Sequence, residues 1–174
     1  MPNFALMTEP EKINEELFCD SNKRQPETCL PDTIYCRCLH RLKVKLGEIV
    51  EFVLIDIGDA KTHPFHLHGT KFYVMEMGSL DSSFTTQKIK DEGIPVANLN
   101  PKPVHKDTVL IPNKGFVRLR FRADNPGFWL AHCHFEWHLA IGMSFILQVG
   151  EVNEMPRPPE KFAKCNNFMP NHMV

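Results

Sequence analysis

The sequence predicts an all-β domain, an antiparallel sandwich or barrel. Short segments of alternating apolar and polar residues recur between Arg41 and Val149. Turn-forming residues separate them, and helical periodicity is scarce. The length, 174 residues, suits one domain with a core of its own.

Residues 1–38 read as loop, with one short helix expected around Glu11 to Phe18. From Arg41 the texture changes. Leu42, Val44 and Leu46 alternate with Lys43 and Lys45, which predicts a strand. Gly47–Glu48 is a turn, and Ile49 to Ile57 is an apolar, β-branched strand buried on at least one face. Lys71 to Met77 is a further strand. Ser79 to His105 is polar, carries Pro95, Pro101 and Pro103, and predicts a long surface connection. Val109 to Ile111 is a short strand. Val117, Leu119 and Phe121 alternate with Arg118, Arg120 and Arg122, the pattern of a half-exposed strand whose arginines form its outer face. Asp124-Asn125-Pro126-Gly127 is a turn by composition. Phe128 to Cys133 and Met143 to Val149 complete the strands, and Met155 to Pro170 is a proline-rich tail.

Composition removes several functional classes. The net charge is −1 and charges of both signs are interspersed, so no basic stripe for nucleic acid is present. No apolar run reaches the roughly 18 residues of a membrane span. Glu9, Glu11, Glu15 and Glu16 interrupt any apolar leader near the amino terminus. The chain is therefore either cytosolic or a piece of something whose signal lies elsewhere. Its six cysteines favour the second option. Cys19, Cys29, Cys36 and Cys38 crowd into polar, turn-rich sequence without histidines at zinc-finger spacing, which favours a disulfide-clamped loop over a zinc site. Four cysteines allow three pairings, and spacing does not choose among them. Cys165 has no evident mate, which suggests a bridge to another segment.

Two windows carry the chemistry. One is His63-Pro64-Phe65-His66-Leu67-His68-Gly69, the other His132-Cys133-His134-Phe135-Glu136-Trp137-His138, with Met143 five residues on. Six of nine histidines fall in them. A single histidine is ordinarily a core or surface residue, but six grouped around a cysteine ask for a metal. One thiolate, two imidazoles and a thioether are the donors of a blue-copper site, and methionine is a poor zinc ligand. Cys133, His138 and Met143 supply three of these donors, and His63 is the natural fourth. Successive side chains of a strand point to opposite faces. If Cys133 faces one metal, His132 and His134 face away from it. His66 and His68, also two apart, share a face. The four rings then form a second cluster, and His132-Cys133-His134 connects the two centres covalently.

The stretches HPFHLHG and HCHFEWHLAIGM resemble the third and fourth copper-binding motifs of the multicopper oxidases. The flanking KDTVLIPNKGFVRLRFRADNPGFWLAHCH, the closing PRPPEKFAKCNNFMP and the cysteine-rich FCD…CLPDTIYCRCLHRL resemble arthropod laccases most closely. The resemblance runs from about Phe18 to Met169. It implies a cupredoxin-like Greek-key β-sandwich or barrel over residues 41–155, a disulfide-clamped extension over 1–40 and a tail over 156–174. It matches His63, Cys133, His138 and Met143 to type 1 copper ligands, His66 to a type 2 ligand, and His68, His132 and His134 to type 3 ligands. It implies reduction of dioxygen to water with electrons from phenols, aromatic amines or metal ions, His138 meeting the reductant. The axial Met143 implies a moderate copper potential.

The departure from that pattern is equally plain. A full trinuclear cluster takes eight histidines, four of them from HxHG and HxH motifs of an amino-terminal domain, and this sequence lacks those motifs. His40, His105 and His172 are isolated and do not replace them. Only half of the type 2 and type 3 ligands are expected here, together with a complete type 1 set. Cys165 matches a position from which some members bridge to the first domain. Asp107 reads as a strand-start hydrogen-bonding residue, and Trp137 as packing over the metal loop. An extracellular location follows from the cysteines and the resemblance. The other readings are a ferroxidase or ascorbate-oxidase substrate, a stand-alone blue-copper electron carrier and an inactive truncated product.

Overall fold

The computed structural model describes residues 15, 18–19, 39–58, 61–160 and 162. Most of the helix expected near residues 11–18 and most of the cysteine-rich segment lie outside that set. The described strands are β1 (Arg41–Val44), β2 (Ile49–Ile55), β3 (His63–Leu67), β4 (Phe72–Ser79), β5 (Val104–Lys106), β6 (Thr108–Ile111), β7 (Gly115–Arg122), β8 (Gly127–Cys133) and β9 (Ser144–Val149). They form two sheets, ordered β1-β9-β8-β3-β6 and β2-β7-β4-β5. The all-β sandwich expected from the alternation is the fold observed. One pairing departs from it: β1 runs parallel to β9, with Arg41 opposite Ile146.

The apolar half of each alternating strand faces the space between the sheets. Phe65 and Leu67 of β3, Phe72 of β4, Val117, Leu119 and Phe121 of β7, and Leu147 of β9 are buried there together. Each such side chain contributes about 1.5–3 kcal/mol by leaving water. A smaller cluster lies at the other face of the five-stranded sheet, where Phe18 packs on Phe128 and Ile146 and Arg41 stacks 3.8 Å over the Phe18 ring.

Three differences from the expected elements have physical causes. The strand foreseen over 49–57 stops at Ile55, because the chain turns at Asp56, whose carboxylate accepts the Gly58 N–H at 2.7 Å. The connection 79–105 contains helix α1 (Thr86–Glu92): Thr85 Oγ1 accepts the Lys88 N–H and Gly93, at φ 70°, ends the helix. Arg118 is not on a solvated face. It is 4% exposed, donating to Glu76 at 3.1 Å, to Glu51 at 2.7 Å and to the Ile94 carbonyl at 2.7 Å. Glu76 in turn accepts the Ala97 and Asn98 N–H groups. Alternation tells which way Arg118 points but not that the strap near residues 93–98 covers it. Arg120 and Arg122 remain partly exposed and exposed, as expected.

Candidate metal centre

Strand register separates the functional side chains into two groups. β3 lies between β6 and β8. Phe65 faces Cys133 across β3 and β8, and His66 faces His132. Alternation puts Cys133 on the core side with His63, both buried, and puts His66 and His132 on the outer side.

Beyond Cys133 the chain makes a short helix, α2 (Glu136–Ala140), and returns through Gly142 at φ 105°. Only glycine adopts that conformation without strain. The return is locked by two backbone bonds, Cys133 N–H to the Met143 carbonyl at 3.0 Å and Met143 N–H to the His138 carbonyl at 2.9 Å. His138 is thereby tucked in beside the thiol, 9% exposed.

At the first centre, Cys133 Sγ lies 3.7 Å from His63 Nδ1 and 3.5 Å from His138 Nδ1. The two Nδ1 atoms are 3.1 Å apart. Metal bonds of about 2.0 Å to nitrogen and about 2.3 Å to sulfur, opening at roughly 100–120°, give edges of roughly 3.1–3.8 Å. The triangle therefore fits a metal ion, and its His₂Cys donor set is the one copper uses in blue-copper sites. His63, Cys133 and Met143 line one cavity of 550 Å³ with apolar walls that include Leu54, Ile111 and Phe145. Met143 is 40% exposed.

The second group holds His66, His68, His132 and His134. Ring centroids are 4.6 Å apart for His66–His68, 5.3 Å for His68–His132 and 5.6 Å for His132–His134. His66 Nδ1–H donates to the Asp107 carbonyl at 3.0 Å, and His132 Nδ1–H to the Cys133 carbonyl at 2.9 Å. Carbonyls only accept, so both rings keep the lone pair on Nε2 for a ligand. His132 Nε2 approaches His68 Nε2 to 3.1 Å. Burial, then repulsion by His66, His132 and His134, lowers the pKa of His68 and favours its neutral, metal-binding form. His66 and His68 open onto a cavity of 790 Å³, also lined by Tyr73, His105 and Asp107.

His105 is stacked on Tyr73 at 4.4 Å on the rim of that cavity. Asp107 does hydrogen-bond at a strand start, its carboxylate accepting from Thr108 Oγ1 at 2.9 Å. Trp137 does not pack over the metal loop: it is 74% exposed, because α2 is a single turn with Trp137 on the side away from the thiol. Asp56 is buried beside the first centre, its Oδ2 3.9 Å from His63 Nε2.

The multicopper oxidase family model matches residues 9–153. The chain belongs to the multicopper oxidase family. This family member is 40% identical over 134 residues to Laccase-21 of Oryza sativa subsp. japonica, covering 72% of this chain and 21% of that protein. It is 35% identical over 129 residues to the iron transport multicopper oxidase FET3 of Gibberella zeae, covering 71% and 20%. It is 32% identical over 161 residues to the L-ascorbate oxidase of Cucurbita pepo var. melopepo, covering 90% and 26%. Among solved structures, a mutant of the laccase from B. aclada matches with a TM-score of 0.51 and 29% identity over 67% of this chain and 20% of that one. This multicopper oxidase chain thus spans about a fifth to a quarter of the length of the curated relatives it matches. No described helix is long and apolar enough to cross a membrane.

Proposed function

We propose that this chain is the carboxy-terminal, copper-bearing domain of a secreted laccase-like oxidase. In that reading His63, Cys133, His138 and Met143 would hold a type 1 copper. His66 contributes to a type 2 site, and His68, His132 and His134 to a type 3 pair. Copper held by these residues would supply one-electron redox chemistry, linking oxidation of a phenol, aromatic amine or metal ion to reduction of dioxygen to water.

The chain's own residues have separable roles. His138 receives the reductant. Cys133 supplies the thiolate, and its backbone joins the first centre to the rings on either side of it in sequence. His66 and His132, their tautomers set by the Asp107 and Cys133 carbonyls, keep Nε2 for a ligand. The outer cluster supplies four imidazoles of the eight a trinuclear site takes, so partner cupredoxin domains complete it. Disulfides clamp the extension 1–40, Cys165 bridges to another segment, and the tail 156–174 follows the cupredoxin unit 41–155.

The observation that carries the reading is the back-to-back arrangement: a thiol between two imidazole nitrogens, with its neighbours' rings grouped on the opposite side. A stand-alone electron carrier has no use for His66, His68, His132 and His134. Copper counting tests the proposal. The isolated chain is expected to bind about one copper with intense thiolate absorption and to consume no oxygen with a phenol. Four coppers per chain with phenol-dependent oxygen uptake would overturn its incompleteness. For the substrate, turnover of a phenol against ferrous iron and ascorbate by the longer parent decides between laccase, ferroxidase and ascorbate-oxidase chemistry. A phenol is favoured by the flanking resemblance and by the identity to Laccase-21.

A further inference from the structure

His138 is nearly closed to solvent, and Phe135 is part of its cover. The Nδ1 of His138 is turned inward, 3.5 Å from Cys133 Sγ and 3.1 Å from His63 Nδ1. The whole residue is 9% exposed. Among the described residues two rings pack against it. His63 lies on the side of the centre, with centroids 4.8 Å apart. Phe135 meets it edge to face, with centroids 5.4 Å apart and planes at 86°. Phe135 is itself half in water, 47% exposed. Its backbone is held on both sides. The His134 N–H donates to the Pro64 carbonyl at 2.6 Å, and the Phe135 carbonyl accepts the Leu139 N–H at 3.0 Å. Trp137 and Ile141, also exposed, extend the apolar surface of the same loop. A lone exposed apolar side chain needs no explanation, but three on the loop that carries a buried candidate ligand mark a place of contact.

We propose that Phe135 selects the reductant at His138: its ring holds an aromatic donor against the loop and keeps small inorganic donors at a distance. The inference rests on the reading of His138 above as the residue that receives the reductant. An aromatic pair is worth more than the area it buries, and only an aromatic donor gains that share. A hydrated metal complex gains nothing from the ring and meets it as an obstacle. Selectivity is the difference between these two effects.

The full 174-residue chain, loaded with copper(II), tests the inference. Reduction is followed as loss of the copper–thiolate absorption. The donor para-methoxyphenol gives one electron to copper(II) and its hydroxyl proton to water, leaving copper(I) and a phenoxyl radical. Hexacyanoferrate(II) gives one electron alone. Phe135→Leu keeps an apolar cover and removes the ring. Its half-saturating phenol concentration is expected to rise by about 2- to 10-fold, with the hexacyanoferrate(II) rate unchanged. Phe135→Ala also uncovers His138, so that rate is expected to rise while phenol binding weakens. Phe135→Tyr is expected to restore the wild-type phenol value. A second readout needs no copper: carbethoxylation of His138 in the metal-free chain is expected to be faster in Phe135→Ala than in the wild type. A merely structural role would move both donors in one direction and lower the urea midpoint with them. Wild-type behaviour toward both donors in the Leu and Ala variants would overturn the inference while leaving the metal centre intact. A wild-type chain without thiolate absorption on adding copper would instead remove the centre, and the inference with it.

Discussion

His66 faces His132 across β3 and β8, one residue out of step with the pairing of Phe65 and Cys133. That single step separates two chemistries. Side-chain direction alternates strictly along a strand, so the sheet itself stands between the thiol and the outer rings. A register slip of one residue would exchange the two faces, and the apolar partners Phe65 and Leu67 forbid it by their burial.

The face separation makes a paired prediction. Cys133→Ser removes the thiolate, so the copper–thiolate absorption is expected to vanish and affinity at the first centre to fall by more than the roughly 10- to 100-fold of an outer-shell loss. His132→Ala removes a ring on the opposite face, so absorption per bound copper is expected to match the wild type. Visible absorption during copper titration reads both. Equal loss in the two variants would mean that the faces are not independent.

A second prediction concerns the support of the outer cluster. Gly69 follows His68, has φ +77°, and a Cβ placed there would lie 2.0 Å from Trp129 Cδ2. Its carbonyl accepts the Asn125 side chain at 2.7 Å, and the Asn125 carbonyl accepts Trp129 Nε1–H at 2.9 Å. The indole cannot retreat without breaking that pair. Gly69→Ala is expected to cost about 1–3 kcal/mol from overpacking, and roughly 1 kcal/mol more from the left-handed backbone. Urea denaturation measures it. A change below about 1 kcal/mol would show that Trp129 moves freely.

Much of this was legible beforehand. Strand alternation marked the sandwich, and the two-residue spacing of His132 and His134 marked the division of faces, because both follow from the period of an extended chain. The burial of Arg118 was not legible: it depends on the strap near residues 93–98, which returns from a distant part of the sequence. Helix α2 hid for another reason. A five-residue helix without a side-chain cap leaves no periodic signal.

The role of Met143 is tested separately. Its backbone N–H and carbonyl hold the loop closed whatever its side chain. Met143→Leu is therefore expected to retain fold and thiolate absorption. Removing the thioether is expected to raise the potential, since the axial donor tunes it. Redox titration of the copper-loaded chain checks this, and an unchanged potential would place another group, or none, in the axial position.

The last prediction concerns acid stability and needs no metal. Burial opposes ionisation of Glu76, but the Asn98 N–H, the Arg118 guanidinium and the Ala97 N–H outweigh it and hold its pKa below the ordinary 4.5. Glu51 is lowered likewise against its burial, by Arg120 and Arg118. Both carboxyls bind protons more tightly in the unfolded chain than in the folded one. Their stabilisation is complete above pH 4.5 and drains away as pH falls through the lower folded values. Glu76→Gln removes the charge that faces buried Arg118, and Glu51 remains as partial compensation. The expected loss near neutral pH is about 3 kcal/mol, the lower end for breaking a buried pair. The variant is also expected to lose less stability than the wild type on going from neutral to acid pH. Urea midpoints measured across that range decide the matter. Parallel pH profiles would show that Glu76 is not the carboxyl through which acid loosens the strap over Arg118.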